Sequence, residues 1–327
     1  LFPMKSALFL SVAAALLTTS APAQFIEVRL SYKAVLNPAN GQRPGNFTDA
    51  QIDQAVARMN ELQTSYSRGF RFVRVDPVTN VGGQGDTTGP SRWYSTDFFD
   101  ETNGLAWRDQ MESLARGDGR YAWNHAAINL YITDGFSGGL CSFPGHEIII
   151  LGRGASAGNG PLHLHEIGHY FELCHSQGCF CGSCGGSDCA SPGDDGIADT
   201  LPDLACWGRN EIANHSFGMA YADLPPSRQT LVDDVFLNIM SYHGGTSRLT
   251  ELQLDRWTDA ANGWRLNVTT GRTWFVDDDS CLLPAGHSAC NPFGGPLWTV
   301  EAGVNAANPA GGDIVLIRPG IYNEPRT

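Results

Sequence analysis

The segment from residue 163 to residue 175 carries the side chains best suited to chemistry, in the order HLHEIGHYFELCH. His165, Glu166 and His169 within it form an H-E-x-x-H motif. Residues four positions apart on a helix lie about 40° apart around the axis and about 6 Å along it, so both imidazoles reach one zinc ion. Glu166 lies at the margin of the same face, where its carboxylate can take a proton from the metal's water. The motif predicts metal-assisted hydrolysis; the alternative is a surface helix with two solvated histidines.

A third histidine, His175, follows ten residues after His165. On a continued helix it would lie about 9 Å beyond His169 and about 120° away around the axis, too far to share the metal. It becomes a ligand only if the chain leaves the helix between Tyr170 and Leu173. An open alternative replaces His175 with a downstream carboxylate, for which Glu211 is the next glutamate after Glu172.

A helix must position these side chains, and its expected start is Gly160-Pro161, because proline is favoured at the first helical position. Leu164, Ile167 and Phe171 form one stripe on the opposite face, which predicts that this face packs on a core. His163 lies about 140° from His169 by the same helical period, so we expect it not to bind the metal.

The residues upstream alternate between strand and helix patterns, with a capping box at Thr48-x-x-Gln51 opening a helix that runs to about Tyr66. Together they predict an α+β (mixed) domain in which helices pack on a twisted sheet. The expected strands are Val28 to Leu36, Phe70 to Val75, Ala127 to Ile132 and Glu147 to Leu151, and a further helix is expected from Leu105 to Ala115.

The spacing H-E-x-x-H-x-x-x-x-x-H resembles that of the metzincin zinc proteases. That family has glycine at position eight, where the chain reverses, and this sequence has Glu172 instead. Asn238-Ile239-Met240-Ser241-Tyr242 resembles the N-x-M-x-Y Met-turn of the pappalysin-like metzincins. The resemblance implies that Met240 lies beneath the zinc and that Tyr242 stabilises the oxyanion of the reaction.

A third resemblance to the pappalysins is the segment from Asp194 to Pro202, which follows their G-D-x-x-x-D-T-P element except that Leu201 interrupts it. In that family the element forms calcium sites, which fits the preference of calcium for oxygen ligands. The resemblance implies a calcium site at Asp194, Asp195, Asp199 and Thr200. The alternative is a polar turn rich in aspartate.

Together these motifs resemble pappalysin-like metzincins from about Phe25 to Asn267. The resemblance implies a metzincin-type zincin domain with an active-site helix and a Met-turn. It also implies a zinc endopeptidase that acts on protein or peptide substrates through a water on the zinc, activated by Glu166. The pocket for the residue after the cleaved bond is expected around His243 to Arg248. The residues by themselves imply no more than metal-assisted hydrolysis.

The two ends of the chain predict two further segments. Lys5, the apolar run Ala7 to Leu17 and Ala21-Pro22-Ala23 form a secretory signal peptide over residues 1–23, with Leu1 to Pro3 upstream of a true start at Met4. This predicts a secreted protein, and the short signal indicates a bacterial one. Residues 299–327 resemble the first coil of a truncated parallel β-helix, after a catalytic domain at 24–267 and a linker at 268–298.

Composition excludes several classes of protein. The 327 residues carry a formal net charge of −13, which disfavours binding to nucleic acid or to anionic membranes. A hydrophobic fraction of 42% excludes a disordered chain. Beyond the signal peptide, no apolar stretch is long enough to span a bilayer, so we expect no membrane insertion.

The nine cysteines are concentrated near the expected site. Because export favours oxidation, we expect disulfides; the alternative is a structural zinc cluster formed by four closely spaced cysteines. Cys281 and Cys290 lie together in the expected linker. The remaining seven are Cys141, Cys174, Cys179, Cys181, Cys184, Cys189 and Cys206, of which the third to sixth form the alternative cluster.

A second function stays open from the sequence. The chain could be an extracellular binding or adhesive protein that uses the C-terminal β-helix, with the protease fold as its scaffold. Intact His165, Glu166 and His169 favour the enzyme over this alternative.

Overall fold

The structure is a computed structural model, and it describes most of the chain from residue 25 onward. The predicted signal peptide at 1–23, Cys281, Cys290 and the four closely spaced cysteines at 179–189 lie outside the described residues. The described ranges are 25–64, 68–100, 102–141, 146–153, 159–178, 193–204, 206–243, 247–276, 297–308, 310, 312–318, 320 and 322.

A mostly parallel sheet forms the centre of the molecule. Its strands are β1 (Ile26–Val35), β2 (Phe70–Arg74), β3 (Thr79–Val81), β4 (Ile128–Ile132), β5 (Gly139–Cys141) and β6 (Ile148–Leu151). The order is β2-β1-β4-β6-β5, and β3 also pairs with β1. Among the described strands of this sheet, the edge strand β5 alone is antiparallel to its neighbour, β6. β4 and β6 are buried on both faces, which explains why their side chains are apolar except for Asn129 in β4.

The helices pack on both faces of this sheet and beyond it. They are α1 (Asp49–Thr64), α2 (Gly104–Gly117), α3 (Gly160–Tyr170), α4 (Arg209–Phe217), α5 (Pro226–Leu237) and α6 (Glu251–Asn262). One core lies between the sheet and α1, α3 and α6, where Phe171 stacks on Trp257 at 4.8 Å between ring centroids. A second core lies on the opposite face, around Trp93 and Tyr131.

The predicted mixed architecture, with helices packed on a twisted sheet, is confirmed, and the element bounds agree to within one or two residues where the described residues cover them. Thr48 donates its backbone N–H to Gln51 Oε1 at 2.8 Å, the capping interaction expected at the start of α1. Strands β3 and β5 and helices α4, α5 and α6 were not predicted. A second capping box, Thr250 with Gln253, starts α6 and is the sequence signal that would have found that helix.

A small unit follows α6. Strand β7 (Thr273–Val276), helix α7 (Val300–Ala306) and strand β8 (Ile314–Ile317) form a β-α-β arrangement in which the two strands pair in parallel. Arg318 joins it to α6 through an ion pair with the buried Asp255. Strand β7 lies within the range predicted as a linker. The domain boundaries and the β-helix stay predictions.

In the described part of the chain, no helix combines the length and the apolar character that crossing a membrane requires.

Candidate metal centre

Helix α3 presents the H-E-x-x-H residues from a well-defined start. Asn159 accepts a hydrogen bond from the Leu162 backbone N–H through its side chain at 3.2 Å, and Pro161 occupies the first turn, as expected from the sequence. Leu164, Ile167 and Phe171 are fully buried in the core. His163 faces away from the site, and its Nδ1 lies 3.0 Å from the hydroxyl oxygen of Tyr32.

The structure brings the three predicted histidines together. His175 Nε2 lies 3.0 Å from His169 Nε2 and 3.2 Å from His165 Nε2. The ligating atoms all lie within 4.8 Å of one another, and no second group of this kind occurs among the described residues. Three nitrogens on one zinc, each at about 2.0–2.1 Å in tetrahedral geometry, are separated by about 3.3 Å. The observed spacing fits such an ion.

Two backbone carbonyls set the orientation of the helical histidines. His165 Nδ1 donates to Ile239 O at 2.7 Å, and His169 Nδ1 donates to Leu173 O at 2.6 Å. Because each Nδ1 carries the proton, each Nε2 presents a lone pair toward the centre of the cluster. Both lone pairs point toward His175 Nε2, which can donate one hydrogen to at most one of them, whereas a cation between the three nitrogens would attract all three lone pairs. The donor set is therefore that of a metal site.

Burial keeps these imidazoles neutral. Desolvation, together with the neighbouring His165, lowers the pKa of His169 to about 3, although the hydrogen bond to Leu173 O acts in the opposite direction. Desolvation also lowers the pKa of His165 and of His175 below the ordinary value for histidine. Neutral imidazole is the form that binds a metal, so the protein holds the ligands ready for it.

A left-handed turn at Glu172 brings His175 to the cluster. Glu172 has a φ of 69°, and Leu173 N donates to Gly168 O at 2.9 Å, so the chain leaves the helix where the sequence required it. Glycine adopts this conformation freely, whereas another residue costs about 1–2 kcal/mol. The Glu172 carboxylate accepts a hydrogen bond from Trp264 Nε1 and pairs with Arg256 at 3.3 Å. These partners hold the strained residue in place.

Glu166 is buried beside the three histidines. It packs so closely on strand β5 that a Cβ on Gly139 would lie 2.5 Å from Glu166 Oε1. Burial raises the pKa of Glu166 to about 8, although a hydrogen bond from the Cys141 backbone N–H acts in the opposite direction. A carboxyl group with a pKa near neutrality can both accept and release a proton.

The turn at residues 238–242 packs against helix α3 and supports the histidine cluster. Met240 is fully buried, and its Sδ would lie 2.5 Å from a Cβ at Gly168 of helix α3. Asn238 Oδ1 accepts the Met240 backbone N–H at 2.8 Å, and Met240 O accepts the Ser176 N–H at 3.1 Å. This turn therefore holds the residue after His175 and, through Ile239 O, also orients His165.

Tyr242 lies at the edge of the cluster. Its ring centroid is 4.5 Å from that of His175 and 6.0 Å from that of His165. Tyr242 is 44% exposed, but desolvation of its hydroxyl beside the cluster raises its pKa to about 12, and the charge of Glu166 contributes. The hydroxyl therefore stays protonated at neutral pH and is available as a hydrogen-bond donor.

The predicted calcium residues are engaged elsewhere. Asp195 accepts hydrogen bonds from Thr200 Oγ1, from Ile197 N at 3.0 Å and from Gln253 Nε2 at 3.0 Å. Asp199 accepts from Thr250 Oγ1 at 2.6 Å and from Leu252 N at 2.9 Å, at the start of α6. Asp194 accepts from Gly196 N at 2.8 Å. The oxygens are used by the protein, and the calcium prediction finds no support.

The alternative ligand Glu211, the expected disulfide cysteine Cys141 and the residues around Glu172 also have a structural outcome. Glu211 accepts a hydrogen bond from Gly208 N at 3.0 Å and caps α4, so it is not part of the metal group. Cys141 is a free, buried thiol whose pKa is raised by burial. The partners of Glu172, namely Arg256 and Trp264, were missed, because no local pattern connects residues 84 and 92 positions apart.

A cavity of about 770 Å³ opens beside the cluster. It lies between the first turns of α3, the edge strand β5 and the turn at residues 238–242, and His165, Glu166 and Tyr242 line one side. Ser247 is the part of the predicted His243 to Arg248 segment that lines it. The cleft gives a ligand direct access to the metal centre.

Comparisons with known proteins place these features beside solved structures. No protein-family model matches the chain, and no curated protein matches it. The chain is similar to mirolysin in complex with compound 9, at 17% identity and a TM-score of 0.46, over 73% of this chain and 92% of that one. It is also similar to mature mirolysin of Tannerella forsythia in complex with a cleaved peptide, at 18% identity and a TM-score of 0.45, over 73% and 92%. At this identity and TM-score, the similarities do not assign the chain to a family.

Proposed function

We propose that this protein is a zinc-dependent endopeptidase. The observation that carries the proposal is the convergence of three neutral imidazole nitrogens, 3.0 and 3.2 Å apart, beside a buried glutamate at an open cleft. His165, His169 and His175 would hold the zinc. When bound there, zinc supplies Lewis acidity for hydrolysis of an amide at neutral pH.

Glu166 is the proposed general base and acid. Its carboxylate takes a proton from the attacking water and passes it to the amide nitrogen of the leaving group. Burial against Gly139 shields this carboxylate from bulk water and holds its pKa near neutrality. Because Glu166 lies on the same helix as His165 and His169, this base needs no movement of its own backbone to act.

Tyr242 is the proposed stabiliser of the oxyanion. Its hydroxyl remains protonated and lines the cleft on the side of His175. It would donate a hydrogen bond to the carbonyl oxygen of the cleaved bond as that oxygen gains negative charge. Met240 has the proposed structural role of supporting α3.

We also propose that the protein is secreted and of the pappalysin-like type. The signal-peptide pattern over residues 1–23 supports export, and so do Cys174 and Cys206, which are disulfide-bonded. The motif resemblance supports the subtype: the histidine spacing and the N-x-M-x-Y turn are both present. Protein or peptide substrates follow from the same resemblance.

The test is the variant Glu166→Gln, which keeps the size of the side chain and removes the base. We expect zinc to stay near one per chain by elemental analysis, while cleavage of casein falls about 10²- to 10⁴-fold. The matched control is Glu61→Gln on the exposed face of α1, which should leave cleavage unchanged. Retained cleavage in Glu166→Gln would reject the assigned base. A wild-type protein that binds zinc but cleaves no protein would favour the binding-protein alternative.

A further inference from the structure

The cavity beside the metal centre has largely apolar walls. Among its described lining residues, Phe99, Pro161, Leu162, Leu237 and Ile239 are apolar. They come from the loop before α2, the first turn of α3 and the end of α5 with the residues after it. The cavity is therefore a folded pocket built from separate parts of the chain.

The polar groups of the pocket are neutral or already engaged. Asn159 uses its side-chain oxygen to cap α3, and Ser241 Oγ donates to Asn238 O at 2.9 Å. Glu166 is the acidic group among the described lining residues, and it lies at the metal end. Arg248 is absent from that lining and pairs with Asp234 at 2.6 Å. A lysine or arginine side chain in this pocket would meet no acidic partner along these walls.

The position of Glu166 indicates which substrate residue faces the pocket. In the proposed reaction this carboxylate protonates the leaving amide nitrogen, so the residue that carries this nitrogen lies next to Glu166. Because Glu166 and the apolar walls line the same cavity, the side chain of that residue has the pocket beside it.

We propose that this pocket binds a bulky apolar side chain, of the leucine, methionine or phenylalanine class, at the substrate residue directly after the cleaved bond. The inference rests on the proposed peptidase function and names its substrate class. Apolar walls gain from removing apolar side chains from water, whereas an unpaired charge in such a pocket is strongly disfavoured. Small side chains leave much of the volume unfilled.

The first experiment is cleavage of a peptide library in which the residue after the cleaved bond is varied. We expect kcat/KM for leucine, methionine or phenylalanine to exceed that for alanine by at least about 10-fold. It should exceed that for lysine or glutamate by at least about 100-fold. A preference for a charged or a small residue at this position would overturn the proposal, while cleavage itself would leave the peptidase function standing.

A matched pair of variants tests the wall directly. Ser247→Asp introduces a carboxylate into the lining, and Ser247→Asn is its neutral control of similar size. We expect the ratio of kcat/KM for lysine to that for leucine to rise at least about 10-fold in Ser247→Asp relative to Ser247→Asn. Equal ratios in two folded variants would show that the substrate side chain does not reach this wall. Leu162→Asp with Leu162→Asn provides the same comparison from helix α3 if the first pair does not fold.

A binding measurement separates the two proposals. Two hydroxamates that differ only in an isobutyl or an aminobutyl side chain are titrated into the zinc-loaded protein by calorimetry. We expect the isobutyl compound to bind at least about 10-fold more tightly. Tighter isobutyl binding without peptide cleavage would reject the peptidase and keep the pocket. Cleavage with equal binding of both compounds would reject the pocket and keep the peptidase.

Discussion

Two regions of this protein contain residues of the types that bind metal ions, and the fold arranges these residues in opposite ways. The histidine cluster is His165, His169 and His175, and its Nε2 atoms converge on one point. The aspartate-rich segment is residues 194–200, and its carboxylates accept hydrogen bonds from the protein. Both sites were predicted from the sequence, and the calcium site was predicted only from the resemblance to the pappalysins. The two regions differ in whether the atoms that could bind a metal ion are already engaged in hydrogen bonds with the protein.

The reason lies in the partners of each side chain. An imidazole has two nitrogens, so the backbone can engage Nδ1 and leave Nε2 for a metal. The carboxylates of Asp195 and Asp199 instead receive N–H and O–H donors from α6 and from their own turn. Asp195 contacts Gln253, which bonds Asn238 at 2.9 Å, and Asn238 holds Met240. The aspartate-rich segment thus supports the metal centre through hydrogen bonds.

The largest expected effect is on the histidine cluster. We expect His175→Ala to weaken zinc binding at least about 100-fold, because one of three ligands is removed. Competition with a chelator measures the affinity. His215→Ala, an exposed histidine on α4, is the control and should bind zinc like the wild type. Unchanged affinity in His175→Ala would show that the third histidine is not a ligand.

The next effect concerns the pH dependence of stability. Burial raises the pKa of Asp195 to about 7, more than its hydrogen bonds lower it. Between pH 4 and pH 7 the folded state keeps a proton on Asp195 that the unfolded state has released, so the contribution of Asp195 to stability is greatest below pH 4 and falls as pH rises to 7. Each pKa unit corresponds to about 1.4 kcal/mol.

Urea unfolding of the wild type and of Asp195→Asn across this range measures the difference. The variant carries a neutral amide at all pH values, so its stability relative to the wild type should improve as pH rises from 4 to 7. A constant difference between the two proteins would contradict the raised pKa and leave the carboxylate ionised and available to a cation.

A smaller effect is expected at the start of α6. Asp199→Ala removes the acceptor for Thr250 Oγ1 and Leu252 N and should cost about 1–2 kcal/mol of unfolding free energy. Asp194→Ala, which loses one exposed contact to Gly196 N, should cost less than about 0.5 kcal/mol. The measurements are made with calcium and with a calcium chelator. Stabilisation by calcium that disappears in Asp199→Ala would make the aspartate-rich segment a cation site after all.

The smallest effect compares two substitutions at Glu172. Both Glu172→Ala and Glu172→Gly lose the contacts with Arg256 and Trp264. Glycine adopts a φ of 69° without strain, so the glycine variant should be about 1 kcal/mol more stable than the alanine variant. Chemical denaturation measures this difference. Equal stability would mean that the turn relaxes when the carboxylate is lost, and that His175 does not depend on the left-handed residue.

Local patterns predicted much of the architecture and the part of the site that lies on one helix, namely His165, Glu166 and His169. The buried strands, the start of α1 and the start of α3 follow from short-range periodicity and capping, and the structure has them near the expected residues. The outcome at residues 194–200 was not predictable in this way. It depends on Thr250 and Gln253, more than fifty positions away.

The sequence by itself determined that His165, Glu166 and His169 share one face of a helix, because a helix of 3.6 residues per turn places them there. It also determined where that helix begins. Tertiary structure decided that His175 joins them, through the Glu172 turn and its contacts with Arg256 and Trp264. Tertiary structure also decided that the carboxylates of residues 194–200 accept hydrogen bonds from the protein, and that the walls of the cavity beside the metal centre are mostly apolar. These outcomes depend on contacts between residues distant in the chain, which helical period and motif spacing do not encode.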